Sequence, residues 1–377
     1  MSDDEIFHNA GMAVLHCSAI EDTESLKLLI DKGAPIFYQD PSSGYTSLHL
    51  AADKQSLRLV RYLLSQGATW NAIDHAGFTP ADIALSYGNT PIYEEIVAEG
   101  VRAEFILNLL GEKAEKGDSG DDDDDSGDND DSNDPASNLN AFLSSQLTYE
   151  YDSDGNERVV DSAGDPVMMA WETPIMKASV RALCDNHPDT QDSLSILNVG
   201  FGLGIIDTEF QKYSPTNHTI IEAHPHVLQH MRETGWYDKP GVTVCEGTWQ
   251  DHVDSIGQFD VIYNTVRITT VLYRVFSPTN AAHSPPDRDL KAFFEHIPDL
   301  VESPNSRFSF FHGLGATNGV FYDVYTRIAD MHLEQIGLSA QWEDVPVPEL
   351  SAVWKGVRRS YWNLPVYKLP IARMNIF

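Results

Sequence analysis

The chain has 377 residues, 42% of them hydrophobic, which is enough to bury the cores of two or three domains. Its formal net charge of -32 argues against general binding to nucleic acid or anionic lipid and favours a basic partner, although solubility alone would also account for it. Three scattered cysteines without zinc-ligand or CxxC spacing, and the lack of a signal peptide or membrane-spanning run, predict a cytoplasmic and nuclear protein with no metal site.

Residues 7 to 110 contain three similar segments at intervals of 33 residues. "AVLHCSA" begins at Ala13, "TSLHLAA" at Thr46 and "TPADIAL" at Thr79. Each segment precedes a glycine that can end a helix in the left-handed conformation, namely Gly33, Gly67 and Gly100. The period, the Leu-His pair and the Gly-Ala ending resemble the ankyrin repeat, which implies an all-α ankyrin-repeat domain over residues 1–110. Such a domain would either bind a partner or serve as a structural cap.

Residues 111–139 form an acidic segment. Ten of the 17 residues from Asp118 to Asp134 are aspartate, and nothing apolar offsets their repulsion. We therefore predict a disordered linker between two domains that share no core. Calcium-ligand spacing of the EF-hand type is absent, whereas attraction of a basic protein remains open.

From residue 140 onward, strands alternate with helices. "SLSILNVG", "NHTIIEA", "VTVCEG", "FDVIY" and "RFSFF" are predicted strands, and "GIIDTEFQKY" and "HPHVLQHMRETG" are predicted helices. The last segment, "YWNLPVYKLPIARM", suits an antiparallel edge pair. The pattern predicts a Rossmann-like, doubly wound α/β domain over residues 140–377.

A glycine-rich turn follows the first strand of this domain. Gly200, Gly202 and Gly204 expose backbone amides to an anionic ligand, although packing alone also favours glycine turns. The third glycine of the dinucleotide fingerprint is missing, which argues against a dinucleotide. Glu222 ends the next strand, where a carboxylate can accept both hydroxyls of a ribose. Together these features resemble the S-adenosylmethionine-dependent methyltransferases.

The segment "DPVMMAWETPIM" precedes the glycine-rich turn. Met168 and Met176 bracket Glu172, which could place thioethers near a sulfonium ligand and a carboxylate near the methyl acceptor. This segment resembles the guanidinoacetate methyltransferases and the related fungal arginine N5-methyltransferases, also called type IV protein arginine methyltransferases. The latter share an ankyrin-like N-terminus, an acidic linker, "GFGLGIID", "IEAHP", "FSFF" and "FYDVY".

The resemblance implies the donor S-adenosyl-L-methionine and, as acceptor, the δ-nitrogen (N5) of an arginine in a ribosomal protein. Glu172 is the predicted catalytic residue, because a carboxylate can draw the guanidinium charge to one side and collect a proton. A monomer without nucleic-acid or membrane contacts is expected. The implied donor-binding residues are Phe142, Tyr149, Met168, Met176, Gly200, Phe201, Gly202, Leu203, Gly204, Ile205, Glu222, Ala223, His224, Thr248 and Trp249.

Several of these assignments leave alternatives open. Trp249 stands where such folds pack the adenine of the donor, but a tryptophan there could also be a buried core residue. The loop "HGLGATNG", from His312 to Gly319, is either a substrate loop or a plain glycine turn. The basic clusters in "YTRIAD" and "WKGVRRS" are interpreted as solvated helix ends.

The segment after "FDVIY" is anomalous, because it contains no acidic residue from Asn264 to Pro286. In the resembled family this strand enters an aromatic-Asp-Thr turn whose acid is the second carboxylate on the guanidino group. We interpret residues 264–287 as a translated intron or similar gene-model error that displaces this acid, with a genuine loop as the alternative. Three functions follow: a protein arginine N5-methyltransferase, which the ankyrin section favours, a small-molecule guanidino N-methyltransferase, or a catalytically impaired scaffold.

Overall fold

The structure is a computed structural model that describes residues 2–117, 139–152, 155–189, 194–265 and 288–375. Two compact units are present: Met1–Gly117 with Gly319–Arg327, and Asp118–Asn318 with Ile328–Phe377. Residues 118–138 of the predicted disordered linker lie outside the described residues, whereas its first residues, 111–117, are helical and belong to the helix that ends at Gly117. Within the described ranges, no helix has the length and apolar content needed to cross a membrane.

Unit 1 consists of helices that repeat at the predicted interval. Thr46 and Thr79 lie at the N-caps of successive repeats, and each accepts a hydrogen bond from the backbone amide three residues later. The buried His49 ring explains the Leu-His pair, because its Nδ1 accepts from Thr46 N at 3.1 Å and its Nε2 lies 3.1 Å from Phe78 O in the following repeat. The helices are α1 Asp3–Ala19, α2 Thr23–Asp31, α3 Ser47–Asp53, α4 Leu57–Ser65, α5 Pro80–Ser86 and α6 Thr90–Gly117.

Two of the three predicted helix-ending glycines have that role. Gly33 and Gly67 follow α2 and α4 with φ of 84°, a conformation that glycine adopts without strain. The prediction for Gly100 is wrong, because this residue lies inside α6. A Cβ there would approach Val324 Cγ2 to 2.8 Å and the Trp70 ring to 3.0 Å. Close packing therefore requires the glycine.

Unit 1 also includes a stretch from the far end of the sequence, Gly319–Arg327. Within this unit the rings of Phe321 and Trp70 lie 5.3 Å apart, and Tyr93 donates a hydrogen bond to Asp323 at 2.6 Å. Arg327 forms an ion pair with Glu94. The expectation that the N-terminal repeats share no core with later residues is therefore wrong.

Unit 2 contains two β-sheets with helices packed against the larger one. The strands are β1 Thr148–Tyr151, β2 Glu157–Val160, β3 Pro166–Met169, β4 Ser195–Val199, β5 Asn217–Glu222, β6 Val242–Glu246, β7 Val261–Asn264, β8 Arg307–Phe310, β9 Leu338–Pro346 and β10 Val366–Met374. The remaining helices are α7 Leu139–Ser144, α8 Thr173–Cys184, α9 Ile205–Gln211, α10 Pro225–Glu233, α11 Trp249–His252, α12 Arg288–Leu300 and α13 Gly319–Gln335. Short 3-10 turns cover Ala170–Glu172 and Trp236–Asp238.

The larger sheet has the strand order β6-β5-β4-β7-β8-β10-β9. Its first five strands are parallel, and β10 pairs antiparallel with both β8 and β9. Strands β7 and β8 are buried throughout, as expected where helices cover both faces of a parallel sheet. The predicted doubly wound α/β architecture and its antiparallel C-terminal pair are confirmed.

Helix α8, which begins directly after Glu172, is fixed at its far end by Arg307 on β8. The Arg307 guanidinium donates to the carbonyls of Ala182, Leu183 and Asp185 at 2.9 to 3.0 Å. These carbonyls have few partners within the helix, so a buried cation stabilises them. The large sheet thereby anchors the helix that follows the predicted catalytic residue.

Candidate active site

The predicted site residues converge on the carboxyl edge of strands β4, β5 and β7. Backbone hydrogen bonds join the three turns there: Gly200 N donates to Ile221 O, and Thr265 N donates to Val199 O, both at 2.8 Å. In open α/β sheets this edge is the usual ligand crevice.

The three glycines after β4 adopt conformations that other residues rarely adopt. Their φ angles are 89° for Gly200, 61° for Gly202 and 65° for Gly204. A Cβ on Gly200 would lie 2.5 Å from Thr265 Oγ1, and one on Gly202 would lie 2.8 Å from Met168 Sδ. Packing, which the sequence left as an alternative, thus contributes to the need for glycine, and it brings β3 against the turn.

A buried polar network lies beneath this turn, and the sequence analysis missed it. Asn198 Nδ2 donates to Gly200 O and to Asp207, each at 2.9 Å. His218 Nε2 lies 3.0 Å from Asp207 Oδ1, and Gln211 Nε2 lies 2.8 Å from His218 Nδ1. Asn198, Asp207 and His218 are completely buried. The sequence did contain a signal for this network, namely polar residues within otherwise apolar strands and helices, because buried polar groups need hydrogen-bond partners.

Glu222 joins the glycine turn to the turn after β5. Its carboxylate is 8% exposed and accepts from Phe201 N at 2.9 Å and from His224 N at 2.7 Å. Burial raises the pKa of Glu222, while these amides act in the opposite direction. The amides of Gly202 and Ala223 also act on this carboxylate, so backbone from both turns surrounds it.

Phe142 and Tyr149 lie beside the helix that follows Glu222. His224 Nδ1 accepts from His226 N at 3.2 Å, so its Nε2–H donates to Phe142 O at 3.1 Å and the ring is neutral. Burial lowers the pKa of His224 to about 4. The rings of Tyr149 and His230 stack at 4.4 Å. The segment ahead of β2 is thereby held next to Glu222.

The two methionines have different environments. Met168 on β3 is half-buried and lies over Gly202, whereas Met176 on α8 is a core residue whose sulfur lies 3.5 Å from the Tyr263 hydroxyl. Met168 therefore lies on the glycine turn, whereas Met176 lies in the core cluster against which Ile205, at the end of that turn, also packs.

Glu172 lies in the 3-10 turn between these methionines, and its carboxylate accepts a hydrogen bond from the Tyr361 hydroxyl. Burial, with a further contribution from the Glu172 charge, raises the pKa of Tyr263 at the end of β7. Glu172 directly precedes α8, whose Met176 contacts the Tyr263 hydroxyl at 3.5 Å, so the turn that carries Glu172 lies near this end of β7. Sequence analysis missed Tyr361, and it misinterpreted the preceding basic cluster, because Arg358 and Arg359 both form ion pairs with Asp165.

Trp249 lies in the hydrophobic core beside this edge, in the cluster that contains Val199 and Ile221 from the ends of β4 and β5. Its ring is 6% exposed and lies 5.4 Å from Phe293 and 5.5 Å from His296, the environment of a core residue. Thr248 caps helix α11 through Asp251, with Oγ1 2.8 Å from the carboxylate. Three further predicted residues are also half-buried: Ala223, between Glu222 and His224, and Leu203 and Ile205, which pack against core clusters.

The anomalous segment begins at this edge. Asn264 is the last residue of β7, is 2% exposed, and pairs in register with Val199 and Phe310. Thr265 Oγ1 donates to Val199 O at 2.8 Å. The rest of the predicted anomaly, residues 266–287, lies outside the described residues. Across the described ranges, no group of three or more potential metal ligands is present.

Comparisons with known proteins agree with this geometry. A family model for guanidinoacetate N-methyltransferase matches residues 143–276, and one for ankyrin repeats (3 copies) matches residues 14–105. A protein of Cryptococcus neoformans named "Protein arginine N-methyltransferase 2" is 40% identical over 365 residues, covering 92% of this chain and 91% of its own. Its namesakes in Neurospora crassa and Aspergillus oryzae are 37% and 32% identical and cover 93% and 96% of this chain, and 92% and 95% of their own lengths.

The chain belongs to the protein arginine N-methyltransferase 2 family. The resemblance drawn from the sequence is confirmed, as are the ankyrin repeats and the methyltransferase class. A protein substrate follows from the family's name, and methyltransferases of this class generally use S-adenosylmethionine.

Proposed function

We propose that this protein transfers a methyl group from S-adenosylmethionine to the δ-nitrogen of an arginine side chain in a protein. The observation that supports it best is the placement of Glu172. This carboxylate follows β3, whose Met168 lies on the glycine turn, and it precedes α8, whose Met176 sulfur lies 3.5 Å from the hydroxyl of Tyr263 on β7. The carboxylate proposed to bind the arginine and the glycine turn proposed to bind S-adenosylmethionine thus lie at the same edge of the sheet.

The residues at this edge fit the donor. The amides of Gly200 to Ile205 suit its charged amino-acid portion, and Glu222 would accept from its ribose hydroxyls. Met168 would contribute a polarisable sulfur near the sulfonium group. When bound, S-adenosylmethionine supplies an electrophilic methyl group, so the protein needs only to orient the acceptor and remove a proton.

Glu172 is proposed to carry out that task. An arginine guanidinium stays charged and has no free lone pair, so one nitrogen must be relieved of positive charge. A carboxylate that accepts two N–H bonds from the terminal nitrogens draws the charge towards itself and leaves the internal nitrogen facing the donor. The same carboxylate can accept a proton from one of those terminal nitrogens, which leaves the guanidine neutral. After methyl transfer the proton of the internal nitrogen passes to the deprotonated terminal nitrogen, so the product again carries a single positive charge.

A basic ribosomal protein is the proposed acceptor. The net charge of -32 favours a cationic partner. Unit 1 carries exposed aromatic side chains, with Phe37 60% and Phe78 54% exposed, and such residues are typical anchors of protein interfaces. Such a substrate would be met in the cytoplasm and nucleus, where we propose that a monomer acts.

A catalytically impaired scaffold is the second candidate. One observation favours it: Asn264 stands at the end of β7, where the resembled family has an acid, and an amide cannot balance a guanidinium charge. A small-molecule guanidino methyltransferase would need the same Glu172 but no ankyrin repeats.

The test is to incubate the purified chain with labelled donor and either ribosomal proteins or guanidinoacetate. Mass spectrometry of the products should locate the label on the internal nitrogen of a protein arginine. Label on terminal nitrogens, or on guanidinoacetate alone, would refute the proposal, and no label would favour the scaffold. Replacing both Phe37 and Phe78 with alanine should weaken methylation of the intact protein while sparing a short arginine peptide.

A further inference from the structure

Two hydrogen bonds in series end on Glu172. Trp171 Nε1 donates to the Tyr361 hydroxyl oxygen at 3.1 Å, and Tyr361 donates to Glu172 Oε1. An indole nitrogen can only donate, and a phenol has one proton. The direction of both bonds is therefore fixed, and Glu172 Oε1 must act as an acceptor. The carboxylate is held in one orientation on its Tyr361 side.

The Tyr361 ring is held by neighbouring aromatic side chains. Its centroid lies 4.9 Å from that of Trp354, in an edge-to-face arrangement, and 5.7 Å from that of Trp171. The next residue, Trp362, is completely buried, and its Nε1 donates to Leu364 O at 2.6 Å. Contacts of this kind restrict the ring to one position. The hydroxyl thus reaches Glu172 from a rigid support.

Ion pairs fasten the segment that carries Tyr361. Arg358 Nε and Arg359 Nε donate to Asp165 Oδ1 at 2.8 and 3.0 Å, and each guanidinium also contacts Oδ2. Arg358 N donates to Gly164 O at 2.9 Å. Burial acts to raise the pKa of Asp165, but the guanidinium groups of Arg358 and Arg359 together have the larger effect and lower this pKa to about 2. Two-pronged pairs of this kind give geometric specificity as well as attraction.

We propose that Tyr361 is a positioning residue for Glu172, and that the pairing of Asp165 with Arg358 and Arg359 keeps it in place. The inference rests on the proposed function for the part that Glu172 plays in binding the acceptor. With Tyr361 bound to Oε1, rotation of the carboxylate group is restricted, so Oε2 is presented to the acceptor in a defined orientation. The guanidinium of the acceptor then binds to a Glu172 carboxylate that is already oriented. Tyr361 thereby prevents the acceptor from binding in an unproductive orientation.

Turnover gives the first test. Tyr361→Phe should lower kcat for the arginine acceptor about 10- to 100-fold, with little change in donor affinity. Tyr213→Phe is the matched control, because Tyr213 donates to Asp185 at 2.6 Å in a similar phenol-to-carboxylate bond away from the site. In a Glu172→Gln background, Tyr361→Phe should cause no further loss, because its effect passes through Glu172. A full further loss in that background would overturn the proposal.

A second test does not depend on turnover. In protein labelled with carbon-13 at glutamate carboxyl groups, the resonance absent from Glu172→Gln identifies Glu172. Its titration midpoint should rise by about one pH unit in Tyr361→Phe and stay constant in Tyr213→Phe. An unchanged midpoint in both would refute the positioning role. A raised midpoint in a protein that methylates no arginine would instead refute the proposed function and leave the positioning role supported.

Discussion

Replacing Gly202 with alanine tests whether the turn after β4 is shaped for a ligand. Both Gly202 and Gly235 have positive φ angles, 61° and 74°, so alanine at either position costs about 1 to 2 kcal/mol of folding free energy. Nothing lies within 4 Å of a Cβ at Gly235, whereas at Gly202 it meets Met168 Sδ at 2.8 Å. Met168 is flexible and can rotate away at about 0.5 to 1.5 kcal/mol. Gly202→Ala should therefore cost about 1.5 to 3.5 kcal/mol.

The two variants should differ most in donor binding. Calorimetry with S-adenosylmethionine should show affinity reduced about tenfold or more in Gly202→Ala, a loss of about 1.4 kcal/mol, and unchanged in Gly235→Ala. Denaturant unfolding measures the two stabilities, and in a Met168→Ala background Gly202→Ala and Gly235→Ala should have nearly equal costs, because the contact with the Met168 sulfur is gone. Equal donor affinity in both single variants would show that this turn does not bind the donor.

Three further changes test other parts of the site. Asn264→Asp restores a carboxylate at the end of β7 and should raise the methyl-transfer rate at least about tenfold, whereas Asn264→Ala should not; equal rates would show that this position is not limiting. Glu222→Ala should weaken donor binding by about 1 to 3 kcal/mol in calorimetry, and unchanged affinity would remove Glu222 from the donor site. Burial lowers the pKa of His224 from 6.5 to about 4, so on acidification this imidazole is protonated at a higher pH in the unfolded chain than in the folded one. The free energy of unfolding should therefore fall as the pH drops through that range. Urea unfolding should show this loss, up to about 3 kcal/mol, in the native chain but not in His224→Gln, and parallel pH profiles would contradict it.

The sequence was sufficient where local pattern determines structure. Strands such as β4 and β7 are continuous apolar runs between turn residues, and the glycine turn and Glu222 follow directly at their ends. The strand order then follows from the rules for parallel sheets, because right-handed crossovers leave few arrangements. The meeting of these turns at one edge of the sheet was therefore predictable.

Contacts between distant residues were not predictable from local pattern. Tyr361 and Glu172 are 189 positions apart, and Arg358 and Asp165 are 193 apart. Gly100 looked like a helix end because glycine serves both helix termination and close packing. Met168 and Met176 are alike in sequence, yet one lies on the glycine turn and the other in the core. In each case the tertiary environment, which periodicity does not encode, decides the role.

Single-turnover methyl transfer by Glu172→Gln tests the central claim most directly. The amide keeps the shape of the side chain but cannot balance a guanidinium charge or accept a proton readily. With donor at saturation, the rate to a protein arginine should fall by about two orders of magnitude or more, while donor affinity and thermal unfolding stay at native values. A Glu172→Gln enzyme that methylates arginine at close to the native rate would contradict the assignment of Glu172 as the catalytic carboxylate.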